Sequence, residues 1–304
     1  PYTLHDAVFS SSAQTKHLAV TLYDGVRNSD HCEFSIFEFK SDASAISEAL
    51  IQNSVKAWKT IRHPSIPTFI EDYEYENNHY VVVERIKPLD EKSMSLEEVK
   101  LAAYTLVEFL EFLKDANCVH GALNRDAMFM TEGNELKVGG LSWMTISGSG
   151  PIKNWNNEWK QCVEVNCDEE SADLVMTGEL LSSWTKKLPR RAMKYVEGWK
   201  GGSVDRADIK KFLDLNDWKN DDFIHNIIFL RDLAMKNSIE RDEFFKKMKS
   251  CIRNYSPNMQ EFKILPELLS SLAFAKESSI IPLIFAIEDN VNKDAFSKKV
   301  MPVI

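Results

Sequence analysis

Apolar and polar positions alternate at the start of the chain. His17–Tyr23 and Glu33–Phe39 carry apolar side chains at about every second position, the period of a half-buried strand, with Asp24-Gly25 as the turn. Val8 to about Phe39 therefore predicts two or three antiparallel strands. Over 42–61 the period lengthens: Ile46, Leu50, Val55, Trp58 and Ile61 mark a helix that His63-Pro64 ends. Thr68–Tyr75 and His79–Ile86 read as a hairpin over Glu76-Asn77-Asn78. Ser95 with Glu98 forms a capping box that opens a long helix to Ala116, with Val99, Ala102, Ala103, Leu106, Phe109, Leu110 and Leu113 on one face. From Ile209 to Asn254 the pattern is again helical. Near the end, Lys263-Ile264-Leu265-Pro266 recurs as Lys299-Val300-Met301-Pro302 at an offset of 36 residues with apolar helix between, the signature of a beginning helical-pair solenoid.

At 304 residues the chain is long enough for two cores. Its 44% hydrophobic and 27% charged residues are those of a folded protein. The longest apolar stretch, Ile280–Ile287, is far short of the roughly 20 residues of a membrane-spanning helix, and no signal-peptide pattern is present, so no membrane insertion is expected. Cysteine is odd in number at 5 and lacks CxxC spacing, which suggests neither a disulfide framework nor a zinc site and fits a reducing cytosol. A net charge of -9 repels nucleic acid on average, so an RNA contact needs a local basic patch. The dense positive run is Lys186-Lys187-Leu188-Pro189-Arg190-Arg191 with Lys194 beyond, in a predicted loop, and it suits an acidic partner or RNA phosphate. No aromatic residue interleaves it, against a base-stacking surface. Pro1 in place of an initiator Met, and an apolar pattern still running at Val300–Ile304, read as a piece of a longer chain.

The most informative segment comes directly after the long helix: Val119-His120-Gly121-Ala122-Leu123-Asn124-Arg125-Asp126-Ala127-Met128-Phe129, then Leu136-Lys137-Val138-Gly139-Gly140-Leu141-Ser142. A protein-kinase catalytic loop reads H-R-D-L-x-x-x-N and is followed by a strand and D-F-G. His120 and Leu123 fall on the motif's His and Leu, and the 20 residues from His120 to Gly140 suit the interval. The chemistry is missing. The Asp that accepts the substrate proton falls on Ala122, the metal-binding Asn on Ala127 and the metal-binding Asp of D-F-G on Gly140. V-A-I-K falls on Phe34-Ser35-Ile36-Phe37, which puts Phe37 at the phosphate-binding Lys. Counting eight back from His63 puts the partner Glu at Val55. Val8–Lys16, where a glycine-rich loop belongs, has no glycine. No catalytic residue, metal, cofactor or ATP is expected. Because Phe37 and Val55 are both apolar, the old cleft is expected to be filled by side chains. Asp173 aligns with the buried Asp of a central helix that in kinases bonds the catalytic-loop backbone, and His120 reads as a packed structural histidine.

Order and spacing of these segments resemble the N-terminal kinase-like protein family, the Scyl pseudokinases, in which a degenerate kinase domain precedes HEAT repeats. Gly139-Gly140-Leu141 and Lys263-Ile264-Leu265-Pro266-Glu267-Leu268-Leu269 look especially like that family, and the similarity spans nearly the whole chain. The expected fold class is α+β: a bilobal protein-kinase-like domain over 1–250, with a small β-rich N-lobe about 1–86 and a mostly α C-lobe about 91–250. The start of an α-solenoid of HEAT-type repeats follows over 251–304. The resemblance implies a cytoplasmic scaffold that binds trafficking or export proteins. It implies a link to coatomer-dependent Golgi–ER traffic through a tail outside this chain, and in some members to nuclear export of tRNA, at the Golgi or the cytoplasmic face of the nuclear pore. The fungal tRNA-export branch is the nearest.

Two alternatives stand beside this reading. An atypical kinase would recruit Lys40, Lys137, Glu48 or Asp126 into the vacated roles. Lys40, three residues from Phe37, points to the opposite face of a strand, and Asp126 lacks metal partners. Direct tRNA binding through the basic run is the other.

Overall fold

A computed structural model of the chain describes residues 1–11, 18–184, 188–274 and 278–303. They form two compact units, residues 1–131 with 135–215 and residues 132–134 with 216–304.

The first unit begins with a 5-stranded antiparallel sheet in the order β1-β2-β3-β5-β4. The strands are β1 (Tyr2–Ser11), β2 (Leu18–Arg27), β3 (Glu33–Ser41), β4 (Phe69–Tyr75) and β5 (Asn78–Val83). Along β3, Ser35, Phe37 and Phe39 face one side and Phe34, Ile36 and Glu38 the other, and both sides are covered, which is why this strand is apolar nearly throughout. The outer side is sealed where Tyr2, Phe34 and Tyr73 pack over the buried Ile36, Tyr80 and Val82. The turn expected at Asp24-Gly25 is not there. β2 continues through it to Arg27, and Gly25 pairs with Phe34. A Cβ at Gly25 would lie 2.6 Å from Ile36 Cδ1, so this glycine serves a close side-chain approach and not chain reversal. The β4–β5 hairpin does turn at Glu76 and Asn77, whose φ values of 49° and 63° suit a tight hairpin turn.

Helix α1 (Ala45–Thr60) starts at Ser44, whose side chain accepts from Ser47 N–H, and buries Leu50, Ile51, Ser54, Ala57 and Trp58. The connector of residues 84–95 includes the short β6 (Lys87–Pro88) and leads to α2 (Leu96–Asp115), which opens with the Ser95/Glu98 capping box. Then come β7 (Cys118–Val119), β8 (Met128–Met130), β9 (Leu136–Val138) and β10 (Thr145–Ile146), paired as β6-β8-β9 and β7-β10. Helices α3 (Asn156–Val163), α4 (Glu169–Ser182), α5 (Arg190–Lys200) and α6 (Ala207–Leu213) complete the unit. Its helical part is organised around α2 and α4, whose buried positions include Leu106, Phe109, Leu174 and Leu181.

The second unit is helical: α7 (Asn216–Lys219), α8 (Asp222–Arg231), α9 (Ser238–Cys251), α10 (Pro257–Met259), a π-type stretch Gln260–Ile264, α11 (Leu265–Ser271), α12 (Ile280–Glu288) and α13 (Lys293–Val300). Its start at 216 takes in helices assigned by pattern to the C-lobe. Asn226 on α8 donates to Tyr255 Oη at 3.0 Å, Phe223 stacks on Tyr255 at 5.0 Å, and Asp242 on α9 accepts from Ser279 Oγ at 2.7 Å. These contacts tie α8 and α9 to the chain beyond Cys251. The repeated tetrapeptide is not placed alike in its two copies: 263–266 lies within a continuous helical run, whereas 299–302 leaves the end of α13.

Candidate functional site

His120 and the residues after β7 form the loop that carries the degenerate catalytic motif. Asp173, buried on α4, accepts from His120 N–H at 2.7 Å and from Gly121 N–H at 2.9 Å. The His120 ring is enclosed: Nε2 lies 2.8 Å from Gly139 O, and Nδ1 accepts from Ala122 N–H at 3.2 Å. That network fixes a neutral imidazole protonated at Nε2. Trp159 Nε1 closes the loop by donating to Gly121 O at 2.7 Å. The loop keeps its frame, and inside it Ala122 and Ala127 are fully buried methyl groups. Gly140, at φ 71°, begins the short helical turn Leu141–Trp143.

Phe37 occupies the middle of the cleft. Its ring lies 5.6 Å from that of Trp58 on α1, 5.6 Å edge-on to Phe129 on β8 and 6.4 Å from Phe39. Phe9 on β1 meets Phe129 edge-on at 5.8 Å. Such aromatic contacts bring burial and ring electrostatics together. Among Phe9, Val20, Phe37, Phe39, Phe129 and their neighbours the space left for the centre of a water molecule is about 10 Å³, room for a single water. Ser54 Oγ, Trp58 Nε1 and Ser142 Oγ edge this space without a protein hydrogen-bond partner among the described residues. Val55 is not part of the filling. It is half-buried, and from α1 it is Ser54 and Trp58 that line the cleft.

Gly139 permits this packing. A Cβ there would stand 2.9 Å from Phe129 Cε2, and that ring cannot retreat because Phe9 and Phe37 abut it. Gly139→Ala is therefore expected to destabilise the fold by about 1–3 kcal/mol, as overpacking does. A lowered urea midpoint with an unchanged m-value checks it, and a wild-type midpoint counts against this packing.

Contacts that the sequence did not signal hold the cleft's borders. Asn53 on α1 donates to Ser142 O at 3.0 Å and Met144 O at 2.8 Å, fastening the helix to the segment after Gly140 where kinases use a Lys–Glu pair. In the connector, Glu84 accepts from Lys137 Nζ at 3.0 Å and from Thr68 N–H at 2.7 Å, and Lys137 also donates to Pro64 O at 2.9 Å. Arg85 pairs with Asp24 at 3.1 Å and Glu33 at 2.7 Å.

The residues of an atypical kinase are not assembled around one centre. Lys40, half-exposed, pairs with Glu38 at 3.1 Å, Glu48 accepts from Ser41 Oγ at 2.7 Å, and Lys137 holds Glu84, while Asp126 lines the cleft. Among the described residues no group of three or more His, Cys, Asp or Glu could hold a metal ion. No helix among them is long and apolar enough to cross a membrane. Of the basic run, Lys186 and Lys187 lie outside the described residues. Arg190, Arg191 and Lys194 are exposed at the start of α5, in a first turn with no acidic residue.

Known proteins carry the resemblance further. No protein-family model matches the chain. The probable inactive serine/threonine-protein kinase scy1 of Dictyostelium discoideum is 25% identical, aligned with 93% of this chain and 39% of its own length. Cytoplasmic export protein 1 of Saccharomyces cerevisiae is 24% identical over 100% of this chain and 41% of its own. The mouse protein-associating with the carboxyl-terminal domain of ezrin is 21% identical over 92% of this chain and 40% of its own. The chain thus spans about two fifths of the length of these curated relatives. Among solved structures, the crystal structure of Cex1p superposes with a TM-score of 0.76 at 22% identity, over 98% of this chain and 61% of that one, and so shares its fold. The resemblance to the Scyl pseudokinases and their fungal export member holds.

Proposed function

We propose that this chain, a relative of the Scyl pseudokinases, is a catalytically inactive kinase-like scaffold that neither binds nor transfers a nucleotide's phosphate. The observation that carries this is the filled cleft: Phe37 lies against Trp58 and Phe129 where the phosphate-binding lysine would stand, with room left for one water. A phosphate cradle also needs cations facing that space, and the charged side chain among its lining residues is the carboxylate of Asp126. The alternative of relocated catalytic residues finds Lys40 and Lys137 engaged elsewhere. Thermal unfolding with ATP and Mg²⁺ tests the proposal. A functioning site at a hundredfold excess over Kd adds about 2.7 kcal/mol, a rise of several degrees. The expected result is no rise at millimolar nucleotide, and a saturable rise overturns the reading.

The scaffold works through protein partners, in a cytoplasmic role in coatomer-linked Golgi–ER traffic or tRNA export, as its relatives' names and the Scyl resemblance suggest. In this reading the pseudokinase domain runs over 1–250, its last helices α8 and α9 forming the platform on which HEAT-type repeats begin at 251, which accounts for their grouping with the second unit. In support, Ile281 and Phe285, one helical turn apart on the outer side of α12, are 43% and 48% exposed, and a stacked helix would cover them. Direct tRNA binding has its own support in Arg190, Arg191 and Lys194, three exposed cations within the first five residues of α5, whose first turn carries no acidic residue. If they contact phosphate, reversing all three to Glu abolishes filter binding of tRNA, and wild-type affinity falls steeply with salt. Affinity indifferent to salt removes the idea.

A further inference from the structure

Three polar groups inside the filled cleft point to a ligand. Ser54 Oγ, Trp58 Nε1 and Ser142 Oγ have no protein hydrogen-bond partner among the described residues, and all three residues line one space. Ser54 is 0%, Trp58 1% and Ser142 2% exposed, so bulk solvent does not satisfy them. A buried donor or acceptor left unmade costs the desolvation of that group, and here three such groups share a single space. The lining also sets the ligand's chemistry. The indole N–H can only donate, whereas each hydroxyl donates or accepts, so the ligand must accept at least one hydrogen bond. A metal ion or an ammonium group has no lone pair to offer. An anion would face the Asp126 carboxylate on the same lining, and an apolar molecule would leave all three groups unmade. The room, about 10 Å³ for the centre of a water molecule, suits a ligand of one heavy atom.

We propose that this space is a binding site for one resident water molecule, held by Ser54, Trp58 and Ser142 as a permanent part of the fold. The water accepts from the indole N–H and bonds both hydroxyls, three partners being the usual number for a buried water. It thereby bridges α1 to the segment after Gly140. Asn53 fastens the same two elements directly, through Ser142 O and Met144 O. Ser142 is thus held by its carbonyl without an intermediary and by its hydroxyl through the water. The proposal rests on the reading of the cleft as filled and adds what joins its walls. Phe37 and the neighbouring rings take up the apolar part, and one water completes the polar remainder.

A crystal structure of the full chain, at a resolution that shows ordered water, tests the site directly. The expected density is one water within hydrogen-bond distance of Trp58 Nε1 and of both hydroxyls. No water there, or direct bonds among the three groups, overturns the proposal. A double-mutant cycle gives an independent check. Ser54→Ala and Ser142→Ala each remove a partner of the same water, so their joint effect on the first unit's folding constant in urea is expected to differ from the product of the single effects by about threefold or more, as groups sharing a partner do. Single effects that simply multiply overturn it too. Should a variant not fold, the wild-type density decides alone. A continuous file of waters reaching solvent through the cleft would sink the reading of a filled cleft itself, whereas a dry, closed cleft sinks only the water site.

Discussion

Phe37→Ala is expected to destabilise the first unit by about 3–5 kcal/mol, the range for removing a fully packed aromatic ring from a core. Phe37 is only 3% exposed, and its ring is held between Trp58, Phe129 and Phe39. A cleft that had lost its catalytic groups yet stayed open would have water against residue 37, and truncation would then cost well under 1 kcal/mol. Size of effect therefore separates closure from disarmament. Urea unfolding followed by tryptophan fluorescence suits the measurement, because Trp58 touches the substituted ring and every tryptophan except Trp218 lies in residues 1–215. The two units need not unfold together, so this fluorescence transition is read as that of the first unit and not as a global two-state unfolding of the chain. Millimolar ATP with Mg²⁺ is expected to leave the variant's midpoint unmoved. Recovery of the lost stability by nucleotide would mean that Phe37 alone had closed a working site.

Much of this was legible in the residues, and the failures have definite physical causes. Strand alternation and the capping box at Ser95 located β3, the β4–β5 hairpin and α2, because those signals are local. Asp24-Gly25 misled because glycine marks close approach as well as turns, and only the neighbour, Ile36, decides which. Counting back from His63 gave Val55, whereas Ser54 and Trp58 face Phe37. One residue on a helix is about 100° of rotation, so a motif count that is right along the axis can be wrong around it. Asn53 and Ser35 gave no signal, because each bonds backbone far away in sequence, at Ser142, Met144 and Ile86. Periodicity likewise marks α8 and α9 as buried without saying against what, and their partners beyond Cys251, Tyr255 and Ser279 among them, belong to the second unit.

The buried pair His120 and Asp173 leads to the other large expectation, because their proton equilibria are moved in opposite directions. Burial holds the His120 imidazole down at about 4, against an ordinary 6.5, although its bond to Gly139 O favours the charged form. Burial pushes the Asp173 carboxyl up to about 6, against an ordinary 3.8, although the N–H bonds from His120 and Gly121 pull it back. Between pH 4 and 6.5 the unfolded chain binds a proton at His120 that the folded one does not, so this histidine makes stability rise with pH. Between pH 3.8 and 6 the folded chain keeps a proton on Asp173 that the unfolded one has released, so this carboxyl makes stability fall with pH. Each swing is about 3 kcal/mol, and over their common window the two nearly cancel. Relative to wild type, Asp173→Ala should therefore gain about 3 kcal/mol between pH 4 and 6, and His120→Gln should lose a similar amount over the same range. Urea midpoints of the three proteins at half-unit pH steps give both slopes, and differences from wild type remove the background of surface carboxylates. Two variants whose slopes move in the same direction, or not at all, would show that this loop is not held by a neutral imidazole over a buried carboxyl.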